Sequence, residues 1–484
     1  MALQFDLSMH FSHMCHTATD QGSETSIPLS PIPPNFPFGL LQEKANCSLR
    51  LSHQLPVDRD NARSLVNSYL ATFEQAYRII HVPTFLDEVN AYWIDPMAME
   101  QGWMAQYLTI LGLGNLVQTP AWAPETSGHE KRYSQLFEQA QAYLMQTPFL
   151  SSPTLATIRT LCLMTIAKEA YTMSCRQSDA SWSMMGLISR LAMTMGLHLE
   201  RPEQDGRFES EIRRRLWTTI VYLDIQQSVR TGTPLSIHLH DFTSLCPTNC
   251  NDADFGPNQE FTIDPALISE RTDTSYQVLL YQSLPILFPL ISRLNSPSIG
   301  LLTYEEAVDY DKGLREFLQG ATTFRDEDPQ HWQLPDMTTD IFFRSILLSL
   351  HRQFAQQPDC SERFPTSYWA SLECSLALLV HQHSCANREN SWIQSWFMAN
   401  FGSDFFPAAL TACMHLLSRG GTFGPVADRR CSLPARQTIV NALGSFSESL
   451  SRMKDLSPCV SRGTNLISQV IAFLGVNAEL ELEL

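Results

Sequence analysis

Three consecutive arginines, Arg213, Arg214 and Arg215, precede Trp217 in FESEIRRRLWTTIVYLD, Phe208 to Asp224. Cationic side chains beside an indole can neutralise a phosphate backbone and stack on a base, so nucleic-acid contact is the first chemistry this stretch raises. A second group of donors stands in HLHDFTSLCPTNC, where His238, His240, Cys246 and Cys250 offer imidazole and thiol ligands. A zinc site needs four donors converging at short range, and turn formers interrupt this stretch with no second close pair, which argues against a metal. Other histidines, such as His198 and His351, accompany no phosphate-binding glycine loop, no G-x-S-x-G elbow and no H-E-x-x-H pair. They read as packed or capping residues, and the sequence points away from an enzyme.

Helix geometry changes the meaning of the arginine triplet. Glu209 and Arg213, like Glu211 and Arg215, are four residues apart with the acid on the N-terminal side, an order worth roughly 0.2 to 0.5 kcal/mol per pair. Phe208, Ile212, Leu216, Ile220 and Leu223 recur at steps of four and three, which makes an apolar stripe and places Trp217 in the core rather than against a base. The chain as a whole carries 33 Lys and Arg against 50 Asp and Glu, a formal charge of −17 that repels phosphate backbones. Autonomous DNA binding is disfavoured on both counts.

Asp224 closes an apolar run, and an unpaired carboxylate there is costly. Arg190, in the middle of SWSMMGLISRLAMTMG, is the one charge in a segment apolar on nearly every face, which predicts a helix buried all round. Pairing of Asp224 with Arg190, or with a nearby arginine, satisfies both. Gly196 followed by Leu197 predicts a left-handed C-terminal cap, and RTGTPLSI, with Gly232 and Pro234, predicts a turn.

The elements that must position these residues are helical throughout. SIPLSPIPPNFPFG holds five prolines in fourteen residues, so residues 1–58 read as a disordered, proline-rich arm. From Arg59 the spacing is helical: Leu65, Tyr69, Phe73, Tyr77 and Ile80 share one face, with Pro83 marking the end. Similar segments run to about residue 478, without hairpin signals or an internal repeat, before an exposed tail over 479–484. VLLYQSLPILFPLISRL, Val278 to Leu294, is too short and too often interrupted for a membrane span and reads as a buried helix with a proline break. Twelve cysteines stand with no C-x2-C pair, and several lie in apolar helical surroundings, which predicts reduced core thiols. The fold class is all-α, a large multi-helix body. No secretory leader is read at the N-terminus, and the chain is expected inside the cell.

In this setting SWSMMGLISRLAMTMGLHLE, then FESEIRRRLWTTIVYLDIQQSVRTGTPLSI, then DFTSLCPTNCNDAD resemble the regulatory domain, or middle homology region, of fungal-specific transcription factors. YLATFEQAYRIIHVPTFLDE upstream, and TYEEAVDYDKGLREFL and LLSLHRQF downstream, extend the resemblance over about residues 60–385. It implies an all-α regulatory domain over 59–478, nuclear location, and control of a metabolic or secondary-metabolite gene set. It implies structural rather than catalytic roles for Arg190, Gly196, Arg215, Leu216, Trp217, Asp224, Gly232 and Pro234. Family members usually carry an N-terminal six-cysteine zinc cluster, whereas residues 1–58 hold only Cys15 and Cys47. The expectation is therefore of a regulator with no cofactor and no membrane contact that reaches DNA indirectly or weakly, through the transcription machinery, a DNA-binding partner protein or a homodimer. A ligand-sensing co-regulator without DNA binding of its own, responding to a small-molecule effector, is the alternative, and an enzyme of the same pathway stands last.

Overall fold

A computed structural model describes residues 55–120, 133–172, 175–201, 206–257, 271–296, 302–321, 333–386, 391–417, 429–454 and 458–480. Nearly all of the proline-rich arm and the last four residues of the tail lie outside them. Asp58 opens the first helix, its carboxylate accepting from the Asn61 amide at 2.9 Å. This satisfies one of the donors that a helix start leaves orphaned.

The stripe from Leu65 to Ile80 is divided rather than continuous. Helix α1 (Arg59–Leu70) ends at Ala71, α2 (Phe73–Tyr77) follows, and Arg78 leaves it in the left-handed region at φ 49°. Pro83 does not end a helix either. It sits in the first turn of α3 (Val82–Ile94), where a missing amide costs nothing, behind His81 as N-cap. This helix was not separately anticipated from periodicity.

Helix α4 (Gln101–Gln118) is buried on every face and is the post around which α1, α5 (Tyr133–Met145) and α6 (Leu155–Thr172) pack. Gly114 lets α1 lie against it, because a Cβ there would strike the Leu65 carbonyl. Helices α7 (Cys175–Thr194), α8 (Arg207–Thr231) and α9 (Ser275–Asn295) pack in sequence, with α8 between its neighbours. Next come α10 (Tyr304–Ala321), α11 (Leu334–Ala355), a short α12 (Cys360–Arg363) and α13 (Pro365–Ala386). The last three are α14 (Ser391–Leu417), α15 (Arg429–Ser451) and α16 (Pro458–Leu480). Helix α14 packs on α13 and also returns to α4 and α6, so one apolar cluster runs from Val57 to Ile467. Among the described residues there is no strand, and no helix is long and apolar enough to cross a membrane.

Two local expectations are corrected. Helix α9 runs unbroken through Pro285 and Pro289, both of which face outward while Leu284, Leu287, Phe288 and Ile291 are buried. The interior prolines cost ~3 kcal/mol each, but four buried apolar side chains offset more than that. Helix α7 is not buried all round: Ser183, Arg190 and Thr194 are exposed. Helix α11 opens with a reciprocal capping box between Gln333 and Asp336 that brackets Pro335 in its first turn.

Candidate functional site: a saturated charge cluster beside an aromatic cavity

Glu211 and Arg215 form the expected pair one turn apart on α8, with Arg215 Nε donating to Glu211 Oε1 at 2.9 Å. Both are buried, so the pair needs further partners. Arg215 Nη1 donates to Asp252 Oδ1 at 2.6 Å, Nη2 approaches Cys250 Sγ at 2.9 Å, and the guanidinium lies 4.4 Å above the Phe255 ring. Glu211 also accepts the Thr248 amide and hydroxyl. The polar stretch after α8 is thereby fastened along the helix that precedes it. Of the four donors weighed above, Cys250 Sγ is engaged with Arg215, and His238 Nδ1 lies 3.3 Å from Asp241 Oδ2.

Asp252 is the hub. Its Oδ1 also accepts Arg78 Nη2 at 2.7 Å, its Oδ2 accepts the Val82 amide at 2.9 Å, and its carbonyl meets His81 Nε2 at 3.0 Å. The left-handed turn at Arg78, uncommon for a non-glycine residue, aims its guanidinium inward from the end of α2. Burial alone would raise the Asp252 pKa, but the two guanidinium groups and the Val82 amide hold it below the usual carboxylate range. Glu74, one turn before Arg78, shows the opposite balance. Burial pushes its carboxyl up to about 7 against the pull of Arg78, while Tyr69 Oη and the Ile80 amide donate to it.

The remaining arginines of the triplet also have protein partners. Arg213 donates to the Met195 and Gly196 carbonyls at 3.1 and 2.9 Å, and Arg214 pairs with Glu200. Gly196 adopts φ 68°, its amide reaching Met193 O and that of Leu197 reaching Ala192 O, the hydrogen-bond pattern of a Schellman cap. A Cβ at Gly196 would strike the Arg201 guanidinium. Leu216 and Trp217 are fully enclosed, and Trp217 packs edge-on against Phe242.

The expected partner of Asp224 is corrected. Arg190 is exposed and its Nη1 lies 3.7 Å from Met193 Sδ, whereas Asp224 accepts the Ser236 and Ile237 amides at 2.9 and 3.0 Å. Gly232, at φ 70°, ends α8 and turns the chain back so that those amides reach the carboxylate, while the Pro234 carbonyl accepts Trp182 Nε1 at 3.1 Å. Burial raises the Asp224 pKa to about 6, with the amide hydrogen bonds acting against it.

Sequence reasoning passed over Arg230, whose guanidinium joins Glu169 of α6 at 2.8 Å to Asp404 of α14 at 2.7 Å. It also passed over Arg78 and Asp252. These pairs are separated by up to 174 residues, and no local spacing announces them.

Beside the cluster lies a cavity of about 250 Å³ between α3, α4, α6 and the start of α8. Ile80, Phe85, Leu155, Phe208 and Ile212 form its apolar walls, with His81 packed against Phe208 at 5.1 Å and Phe255 at 4.7 Å. Gln106, Glu88, Glu209 and Arg159 contribute polar groups. Trp103 Nε1 holds Glu88 at 2.8 Å. Arg159 differs from every arginine described above: its guanidinium makes no hydrogen bond or ion pair among the described residues, and its Nε is fully shielded. Burial lowers its pKa, with Glu88 and Glu74 opposing that shift from nearby.

Residues 66–289 match the family described as fungal specific transcription factor domain, and this span contains the cluster, the Asp224 turn and the cavity. Among curated proteins the chain is 28% identical over 354 residues to transcription factor opdR of Penicillium oxalicum, covering 69% of this chain and 44% of that protein. It is 25% identical over 417 residues to the fusarisetin A cluster transcription factor fsa6 of a Fusarium species, covering 77% and 53% respectively. It is 25% identical over 412 residues to the equisetin cluster transcription factor eqxF of Fusarium heterosporum, covering 76% and 57%. The chain thus spans about half the length of the curated relatives it matches. Residues 66–289 are thus a fungal specific transcription factor domain, and the buried arginine network of α8 and the polar stretch clipped to it lie within that span.

Proposed function

We propose that this protein is a nuclear transcription regulator of a secondary-metabolite biosynthetic gene set, and that residues 59–478 act as one regulatory domain. The observation that carries this is the family match over 66–289 together with relatives whose names are those of cluster transcription factors. The arginine chemistry of α8 agrees with it: Arg213, Arg214 and Arg215 are taken up by protein carbonyls and carboxylates, so this helix organises the fold instead of gripping phosphate. With a formal charge of −17, residues 1–484 suit contact with protein partners, a DNA-binding protein or a second copy, better than contact with DNA. The roles of Arg215, Leu216, Trp217, Asp224, Gly196, Gly232 and Pro234 are structural in this scheme, and Arg190 is an exposed residue of α7. The relatives' names support regulation rather than catalysis.

Deletion and overexpression in the native host, followed by transcript sequencing, test this directly. A coordinated change in a contiguous set of biosynthetic genes is expected. An unchanged transcript profile in both strains sinks the regulatory function.

A further inference from the structure

Every buried arginine of the α8 network has carboxylate or carbonyl partners, whereas Arg159 of α6 has none among the described residues and borders a cavity. A guanidinium whose Nε is shielded from water and bonded to nothing loses hydration that only the attraction of Glu88 and Glu74 offsets, which is costly unless something else supplies the acceptor. The neighbouring acids do not fill that role. Glu88 is turned to Trp103, and Glu209 is exposed at the rim, where its charge is screened. Thr84 and His81 are likewise satisfied by one another and by the Asp252 carbonyl. What remains is a pocket with aromatic and aliphatic walls and one uncommitted, always charged fork of donors, the pattern that recognises a carboxylate on an apolar body.

We infer that this cavity binds a small amphipathic carboxylic acid, its carboxylate on Arg159 and its apolar body between Phe85, Leu155, Phe208 and Ile212. The position gives such a ligand leverage on the fold. Phe208 and Ile212 are in the first turns of α8, and His81 and Ile80 adjoin the left-handed turn that delivers Arg78 to Asp252. A ligand there bridges α3, α6 and α8, and it shifts any equilibrium in which these helices separate toward the closed arrangement. Calling the ligand an effector rests on the regulatory function proposed above; the binding itself does not.

Calorimetric titration of the full chain with phenylbutyrate and with phenylbutyramide tests the site, since the two probes share a body and differ in charge. Saturable binding of the carboxylate is expected, at least about tenfold tighter than the amide. In Arg159→Met the carboxylate should weaken by about ten- to a hundredfold while the amide is unchanged, and Arg159→Lys should retain part of the difference. Leu155→Trp, which fills the cavity from a different residue, should abolish binding of both probes and decides the matter if Arg159→Met is misfolded by circular dichroism. Equal affinities for the two probes, unaltered carboxylate binding in Arg159→Met or Leu155→Trp, or no saturable heat with either probe overturns the assignment. Transcript profiling separates the two levels: lost binding leaves gene regulation standing, and an unchanged transcript profile leaves the binding site standing.

Discussion

Arg215, which is buried, and Arg159, which is half-buried with its Nε shielded, both lie within the matched domain, and they are opposites in partnership. Arg215 meets Glu211, Asp252, Cys250 and the face of Phe255, while Arg159 faces a cavity without a bonded acceptor. The difference teaches how to separate framework from ligand contact among shielded cations. A buried cation whose donors are all engaged holds segments together, because removing it strands the acids around it. One whose donors are free holds nothing in the unliganded protein, and is explained by what it can receive.

The sharpest way to break that comparison is to remove each charge in turn. Arg215→Met should strand Glu211 and Asp252 and destabilise the protein by about 3–5 kcal/mol, read as a lower midpoint in guanidinium denaturation. Arg159→Met should leave the midpoint the same or slightly higher, because a half-buried charge without a bonded partner is exchanged for an apolar side chain of similar length. Equal losses in the two variants would erase the distinction.

A smaller effect is expected at Asp224. Its replacement by Ala leaves the Ser236 and Ile237 amides without their acceptor, at a cost of roughly 1–3 kcal/mol. Asp224→Asn should cost less, since the amide oxygen still accepts one of them; equal midpoints for wild type and Asp224→Ala would show that the turn is held by something else. The smallest effect belongs to Arg190. As an exposed residue it should tolerate Ala within about 0.5 kcal/mol, and a loss comparable to that of Asp224→Ala would restore the pairing that the structure replaces.

Much of α8 was legible from its residues. The stripe through Leu216 and the i,i+4 pair of Glu211 and Arg215 are local relations, and a helix sets them once its spacing is known. The cap at Gly196 was legible for the same reason. Arg190 misled because an isolated charge in an apolar segment looks buried, although a helix can turn a narrow strip to water. Asp224 misled because a buried carboxylate invites a search for a cation, when two backbone amides brought close by the Gly232 turn can satisfy it. The proline pair in α9 misled because the cost of proline in a helix is local and certain, whereas the packing that offsets it is not visible along the chain.

The sequence by itself determined the helical class, the apolar faces, the caps and the family resemblance, since each depends on residues within a few turns of one another. The tertiary structure alone decided that Asp252 ties Arg78 to Arg215, that Arg230 joins α6 to α14, and that Arg159 has a cavity where its partner would be. Electrostatic partnership acts over a few ångströms of space and is indifferent to chain separation. Only the packed helices reveal which buried charges are satisfied.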